Sequence, residues 1–177
     1  MDSLSQCLGR WATSVACVAD VAKLARVASI AMLVFSMLTL VLSACAQGPR
    51  IEIVGPDGVV RTAVSVQIAD TFASREYGLM FRKHLDEDAG MIFVFKAPQH
   101  QEFWMKNTVI PLDMIFADGN GKIIGVVSRA EPFSEAIDAV DGDSQYVLEV
   151  NGSFCERHGV KAGDTLRFVG FVPRAAD

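Results

Sequence analysis

Beyond residue 50 the apolar residues fall mostly two apart, in short runs broken by turn signals, and that period belongs to half-buried strands. Ile51–Val54 reads as a first strand, Gly55-Pro56-Asp57-Gly58 as a turn, and Val59–Ile68 as a second strand with Val60, Val64, Val66 and Ile68 on its rhythm. The period changes over Ala69–Gly78. There Asp70 or Thr71 can cap a helix start, Phe72, Ala73 and Tyr77 recur at helical spacing, and Gly78 suits the left-handed end position. Met91–Phe95, bounded by Gly90 and Ala97-Pro98, predicts a buried strand. Gln101–Lys106 and Asp113–Ala117 predict two strands paired across a bend at Asn107–Pro111, which would bring Asp113 back beside Lys106. Asp118-Gly119-Asn120-Gly121 is a hairpin turn with Lys122–Ser128 returning from it. Glu131–Ser144 is acidic and aperiodic, a long surface loop. Tyr146–Val150 is a strand, Ser153–His158 a helical turn, and Thr165–Val169 the last strand. About eight strands, one short helix and no βαβ rhythm predict a mainly β fold, a small antiparallel β-barrel or sandwich with one short helix.

The first 46 residues are of another kind. Arg10, Lys23 and Arg26 precede an apolar run from Val27 to Leu42, and small residues follow it, the layout of an export signal. Leu42-Ser43-Ala44-Cys45 resembles the lipobox of bacterial lipoproteins, in which the cysteine is lipidated and becomes the mature N-terminus. Cys45 is therefore the candidate lipidation site, and the expected address is the periplasm or cell envelope, at a membrane. Secretion after Ala46, or an uncleaved anchor over Val27–Ala46, are the alternatives. The stretch before the apolar run is long for a signal and contains Asp20. The chain then divides into a leader or anchor (1–46), a tether and first strand (47–59), a β domain (60–170) and a C-terminal tail (171–177).

The body from residue 47 carries 13 basic and 19 acidic residues, a net charge of −6. That disfavours nucleic acid and electrostatic adhesion to anionic lipid. Cys155 is its single cysteine, so it has no internal disulfide and its core must hold it together alone.

Candidate chemistry gathers at His100–Asp118. On a strand over Gln101–Lys106, Phe103 and Met105 face the core, while His100, Glu102, Trp104 and Lys106 share the other side. His100 could be a base, Lys106 and Asp113 an ion pair or anion clamp, Asn107 a ligand-orienting or turn-closing amide, and Trp104 the floor of a pocket. Arg75 and Arg82 flank the predicted helix end and could present a fork to a carboxylate or phosphate, or else pair with Glu76, Asp86 or Glu149. These seven residues (Arg75, Arg82, His100, Trp104, Lys106, Asn107, Asp113) are the candidate ligand-binding set. Zinc lacks its ligand spacing, since His84 and His158 are not placed with His100, and no metal or other cofactor is expected. Met80, Met91, Met105 and Met114 leave a Cu(I) site as an alternative.

The order of these pieces resembles the DUF192 (UPF0127) family. The resemblance is carried by Arg75-Glu76-Tyr77-Gly78-Leu79-Met80-Phe81-Arg82, Gly90-Met91-Ile92-Phe93-Val94-Phe95, Phe103-Trp104-Met105-Lys106-Asn107-Thr108 through Pro111-Leu112-Asp113, Tyr146-Val147-Leu148-Glu149-Val150 and Gly163-Asp164. It covers roughly residues 60–169 and implies a compact β-rich fold, often on exported or lipid-anchored chains, with no reaction attached. One departure is local: after Val150 the family usually runs Asn-Ala-Gly, and this chain has Asn151-Gly152-Ser153. The expected function is an envelope protein whose β domain binds a small polar or anionic ligand in one pocket. The alternatives are a hydrolase-like enzyme using His100 or Asp113 with Lys106, and a copper-handling protein.

Overall fold

The computed structural model describes residues 48–177. The leader, with Cys45 and the cleavage or anchor alternatives, lies outside the described residues. No helix among the described residues is long and apolar enough to cross a membrane.

The body is mainly β. Its elements run β1 (Arg50–Val54), β2 (Val60–Ala69), α1 (Phe72–Tyr77), β3 (Ala89–Gln99), β4 (Leu112–Ala117), β5 (Ile123–Ala130), β6 (Ser144–Asn151), α2 (Phe154–His158) and β7 (Thr165–Val169). The seven strands form one sheet in the order β5-β4-β6-β3-β2-β1-β7. Every pairing is antiparallel except β2 with β3, which are parallel and joined through α1. The sheet curls into a half-barrel. Its outer strands touch at one end, where Leu166 N–H donates to the Gly121 carbonyl (2.7 Å) and Ile123 N–H to that of Asp164 (2.8 Å).

Most elements stand where the periodicity put them. Thr71 caps α1, its hydroxyl accepting from Ser74 N–H (3.1 Å), and Gly78 ends the helix at φ 50°. Two expectations fail. Gln101–Lys106 is not a strand; it forms no ladder and contributes an isolated β-bridge, Phe103 to Asp138. The central pair across Asn107–Pro111 therefore does not exist, and β4 pairs with β5 and β6 instead. The alternation of burial at 101–106 is nonetheless present, with Gln101 and Met105 buried and Glu102, Trp104 and Lys106 exposed. An extended segment alternates whether or not a ladder holds it. The predicted helical turn near residue 153 is also a helix in its own right, α2, giving two short helices rather than one.

Because both faces of the sheet are covered, there are two cores. On the inside of the curl, residues from all seven strands meet, Ile51, Val64, Ile92, Ile115, Ile123 and Leu166 among them. On the outside, Met91, Phe93, Met114, Phe116 and Val147 are roofed by Leu79, Leu85 and Met105 from the connections. The roof is held by backbone bonds between residues 103–108 and the long loop. Phe103 and Asp138 exchange both bonds (3.0 and 2.9 Å), Met105 N–H donates to Ser134 O (2.9 Å), and Phe133 N–H to Thr108 O (3.1 Å). The loop over 131–143 is thus a strap across the outer core.

Candidate functional site

Between α1, the outer face of β3 and β6, and the roof lies a cleft of about 470 Å³, a size that suits a small molecule. Its mouth is apolar: Phe72, Tyr77, Trp104 and Ile137 line it and are all exposed. Phe93, Phe95 and Phe103 form the inner wall, with Phe103 edge-on to the other two at centroid distances of 5.1 and 6.4 Å. Buried polar groups at the bottom come from Gln101, Thr108 and Glu149.

Glu149 is the unusual member. It sits in mid-strand on β6, directly opposite Met91 on β3 and Met114 on β4, so its side chain emerges between two thioethers. Only 5% of it is exposed, and its carboxyl has no hydrogen bond or ion pair among the described residues. Burial raises its pKa to about 8, since an unpaired anion is costly in a poorly solvated site. Gln101, 6% exposed, leaves its amide nitrogen without a partner. Buried polar groups are nearly always satisfied, so two unsatisfied groups lining one cleft mark it as a candidate binding site.

The residues singled out by the sequence scatter. Arg75 and Trp104 line the cleft. Arg75 is already engaged: it donates to the carbonyls of Asp70 (2.8 Å) and Val94 (3.0 Å), pairs with Asp177 (2.7 Å), and lies 5.2 Å over the Phe95 ring. Arg82 hydrogen-bonds Gln67 and lines a separate groove with His84. Neither arginine takes Glu149 as its partner. His100 is exposed. Lys106 is exposed and lies with its ammonium 5.2 Å from the Trp104 ring centroid. Asn107 adopts φ 57°, accepts from Phe81 N–H (2.9 Å) and reaches Met80 Sδ (3.8 Å), so it ties the roof to the end of α1.

Asp113 corrects the expectation most clearly. It is not beside Lys106. On β4 it points away from the cleft, fully buried, and accepts three backbone N–H bonds, from Arg129 (2.8 Å), Ser153 (3.0 Å) and Cys155 (2.8 Å). It caps α2 from a neighbouring strand, because the N-cap residue Ser153 makes no side-chain cap of its own. The Cys155 thiol, free and buried there, has its pKa pushed up by burial and then by Asp113. The Asp113 carboxylate of the hydrolase alternative is therefore committed to backbone donors rather than to Lys106.

Among the methionines, Met91, Met105 and Met114 belong to the outer core and Met80 lines the cleft. Among the described residues no cluster of three or more His, Cys, Asp or Glu could hold a metal ion. In the sequence Glu149 enters only as a possible partner of Arg75 or Arg82, within the apolar run Tyr146–Val150. A lone acid inside such a run was the available signal.

The family model DUF192, described as an uncharacterized ACR, matches residues 53–168. Among solved structures, the chain is similar to a Sinorhizobium meliloti 1021 protein provisionally described as a transcription regulator. The two are 36% identical with a TM-score of 0.66, over 70% of this chain and 95% of that one. It is likewise similar to a protein of unknown function from Novosphingobium aromaticivorans DSM 12444, at 36% identity and TM-score 0.63, over 67% of this chain and 83% of that one. No curated protein matches the chain.

Proposed function

The chain belongs to the DUF192 family, and from that premise we propose that its β domain is a small-molecule-binding module, with the ligand in the cleft on the outer face of the sheet. The observation that carries this reading is the pair at the bottom beneath an apolar mouth, the buried Glu149 carboxyl with no bond among the described residues and the unpartnered Gln101 amide nitrogen. A fold stabilised for its own sake would gain by an apolar residue at either position. The ligand is polar where it meets Glu149 and Gln101, and flat or apolar where it meets Trp104 and Phe103. Arg82, His100 and Lys106 do not line the cleft, and Arg75 is held by Asp177. An anion is therefore not the occupant these residues favour.

The domain works in the cell envelope, exported by the leader and tethered to the membrane through a lipid on Cys45. The supporting observation is the sequence order of positive flank, apolar run and Leu42-Ser43-Ala44-Cys45. Cys45→Ala should move the protein from the membrane to the soluble fraction.

Native mass spectra of the protein, purified gently from its own envelope, test the binding reading. A co-purifying mass that is lost on denaturation, and lost again in Phe103→Ala, is the expected result. A bare protein mass under every condition would count against a tightly held ligand.

A further inference from the structure

We propose that the occupant of the cleft is a small organic cation of the amidinium or ammonium class, with Glu149 as its counter-ion, an inference that rests on the cleft being a ligand site. The charge lining the cleft is one-sided. Besides Glu149, the charged residues that line it are Glu76 and Arg75 from α1 and Glu102 from the roof. Arg75 is neutralised by Asp177, whose pKa is lowered by its hydrogen bonds to Arg75 and to Phe72 N–H and by that charge. Three carboxyl groups remain without a compensating cation in the lining.

The walls suit the same class. Aromatic faces attract cations through their quadrupoles, and two aromatic residues of the cleft already hold a protein cation: Arg75 over Phe95 and Lys106 over Trp104, each at 5.2 Å. The Gln101 amide can turn by half a rotation and present oxygen rather than nitrogen. Floor and side would then both accept hydrogen bonds from an N–H donor. A planar amidinium can bind a carboxylate through two parallel bonds.

Binding is linked to a proton. With the Glu149 pKa raised to about 8 by burial, the empty cleft at neutral pH holds a protonated acid. A cation binds the ionised form, so it expels that proton. Affinity should therefore climb about tenfold per pH unit below 8 and level off above. A neutral hydrogen-bond acceptor would show the opposite slope, being lost as the acid ionises.

The test uses the full chain carrying Trp11→Phe, so that Trp104 is the single indole and reports from the mouth of the cleft. The probes are benzamidine, benzamide and benzoate, of similar shape and opposite or no charge, each titrated from pH 6 to 9. Expected is a change in Trp104 emission with benzamidine whose affinity rises with pH as above, weaker binding of benzamide, and none of benzoate. Glu149→Gln should weaken benzamidine at least tenfold at pH 8 and flatten its pH profile. Should that variant fold poorly, calorimetry of the Glu149 protein in buffers of different ionisation enthalpy serves instead, with nearly one proton released per benzamidine at pH 7 as the expected count. Benzamide or benzoate binding as tightly as benzamidine, with no proton released, would overturn the cation assignment and leave the cleft standing. Silence with all three probes would overturn the cation assignment too, and the co-purifying mass would then decide the cleft separately.

Discussion

Two carboxyls are buried on opposite faces of one sheet, on the neighbouring strands β4 and β6, and their surroundings could hardly differ more. Asp113 faces the side of α2, where three backbone N–H groups converge on its two oxygens. Glu149 faces the outer core between Met91 and Met114 and meets no donor among the described residues. Two of the donors to Asp113 belong to Arg129 and Ser153, which adopt φ 51° and 66°, conformations that cost a side-chain-bearing residue about 1 kcal/mol or more. One acid is thus embedded in the fold and fastens strained backbone, while the other is left open towards a cleft. Burial by itself says little about a carboxylate's role; its donors say more.

The comparison can be broken most forcefully at Asp113. Asp113→Ala should cost about 3–5 kcal/mol in denaturant unfolding, since it strands three donors at once. A cost under about 1 kcal/mol would remove its anchoring role. Next comes the pH response of Glu149. Its folded-state pKa of about 8 stands above the ordinary 4.5, so the folded protein holds an extra proton between those values. The stabilisation is complete below pH about 4.5, is lost as pH rises towards 8, and is flat beyond, a fall of roughly 3–5 kcal/mol at most. Glu149→Gln should remove that slope and leave the protein more stable at pH 9, which thermal melts across pH 5–9 would reveal. A slope that survives the substitution would show that another group carries it.

Smaller effects sharpen the picture. Ser153→Gly should stabilise by about 0.5–1 kcal/mol, because glycine takes the left-handed conformation without strain. At this point the chain departs from the Asn-Ala-Gly run usual in the family. Here the glycine stands at 152, where a Cβ would come within 3.1 Å of Pro111, and Ser153 holds the strained position at φ 66°. Smallest of all, Lys106→Ala should cost about 0.5 kcal/mol, the worth of an exposed cation–π contact. It should shift Trp104 emission without the collapse expected of Asp113→Ala. A loss as large as that of Asp113→Ala would restore the ion pair that the sequence suggested.

Strands and turns were legible because they are local. Thr71 and Gly78 mark α1 through their own hydrogen-bonding and conformational habits, and the Asp118–Gly121 turn is written in its residues. The side chain of Asp118 accepts from Asn120 N–H (2.8 Å) and Lys122 N–H (2.9 Å), closing the hairpin as that composition implies. The site was less legible because it is made by pairing. Reading Gln101–Lys106 as a strand placed its exposed residues on one face correctly, yet gave it the wrong partner and so misdirected Asp113. In β4 every position is buried, because both faces of the sheet are covered. An acid in such a strand carries no mark of which side it serves. Only the β4–β6 register, Asp113 opposite Val150 and Met114 opposite Glu149, separates the two.

The position of β1 has a further consequence, for the order in which the chain can fold. β1 is inserted between β2, its neighbour in sequence, and β7, the last strand, so that Arg50 pairs with Val169. A hairpin of β1 and β2 can form as soon as both exist, but the other edge of β1 stays open until residues 165–169 have been made. Joining ends so far apart is entropically costly and slow compared with local pairing. The barrel-like closure is therefore a late event, and a nascent or truncated chain lacking β7 exposes an unpaired strand edge, the feature most prone to pairing with the wrong partner.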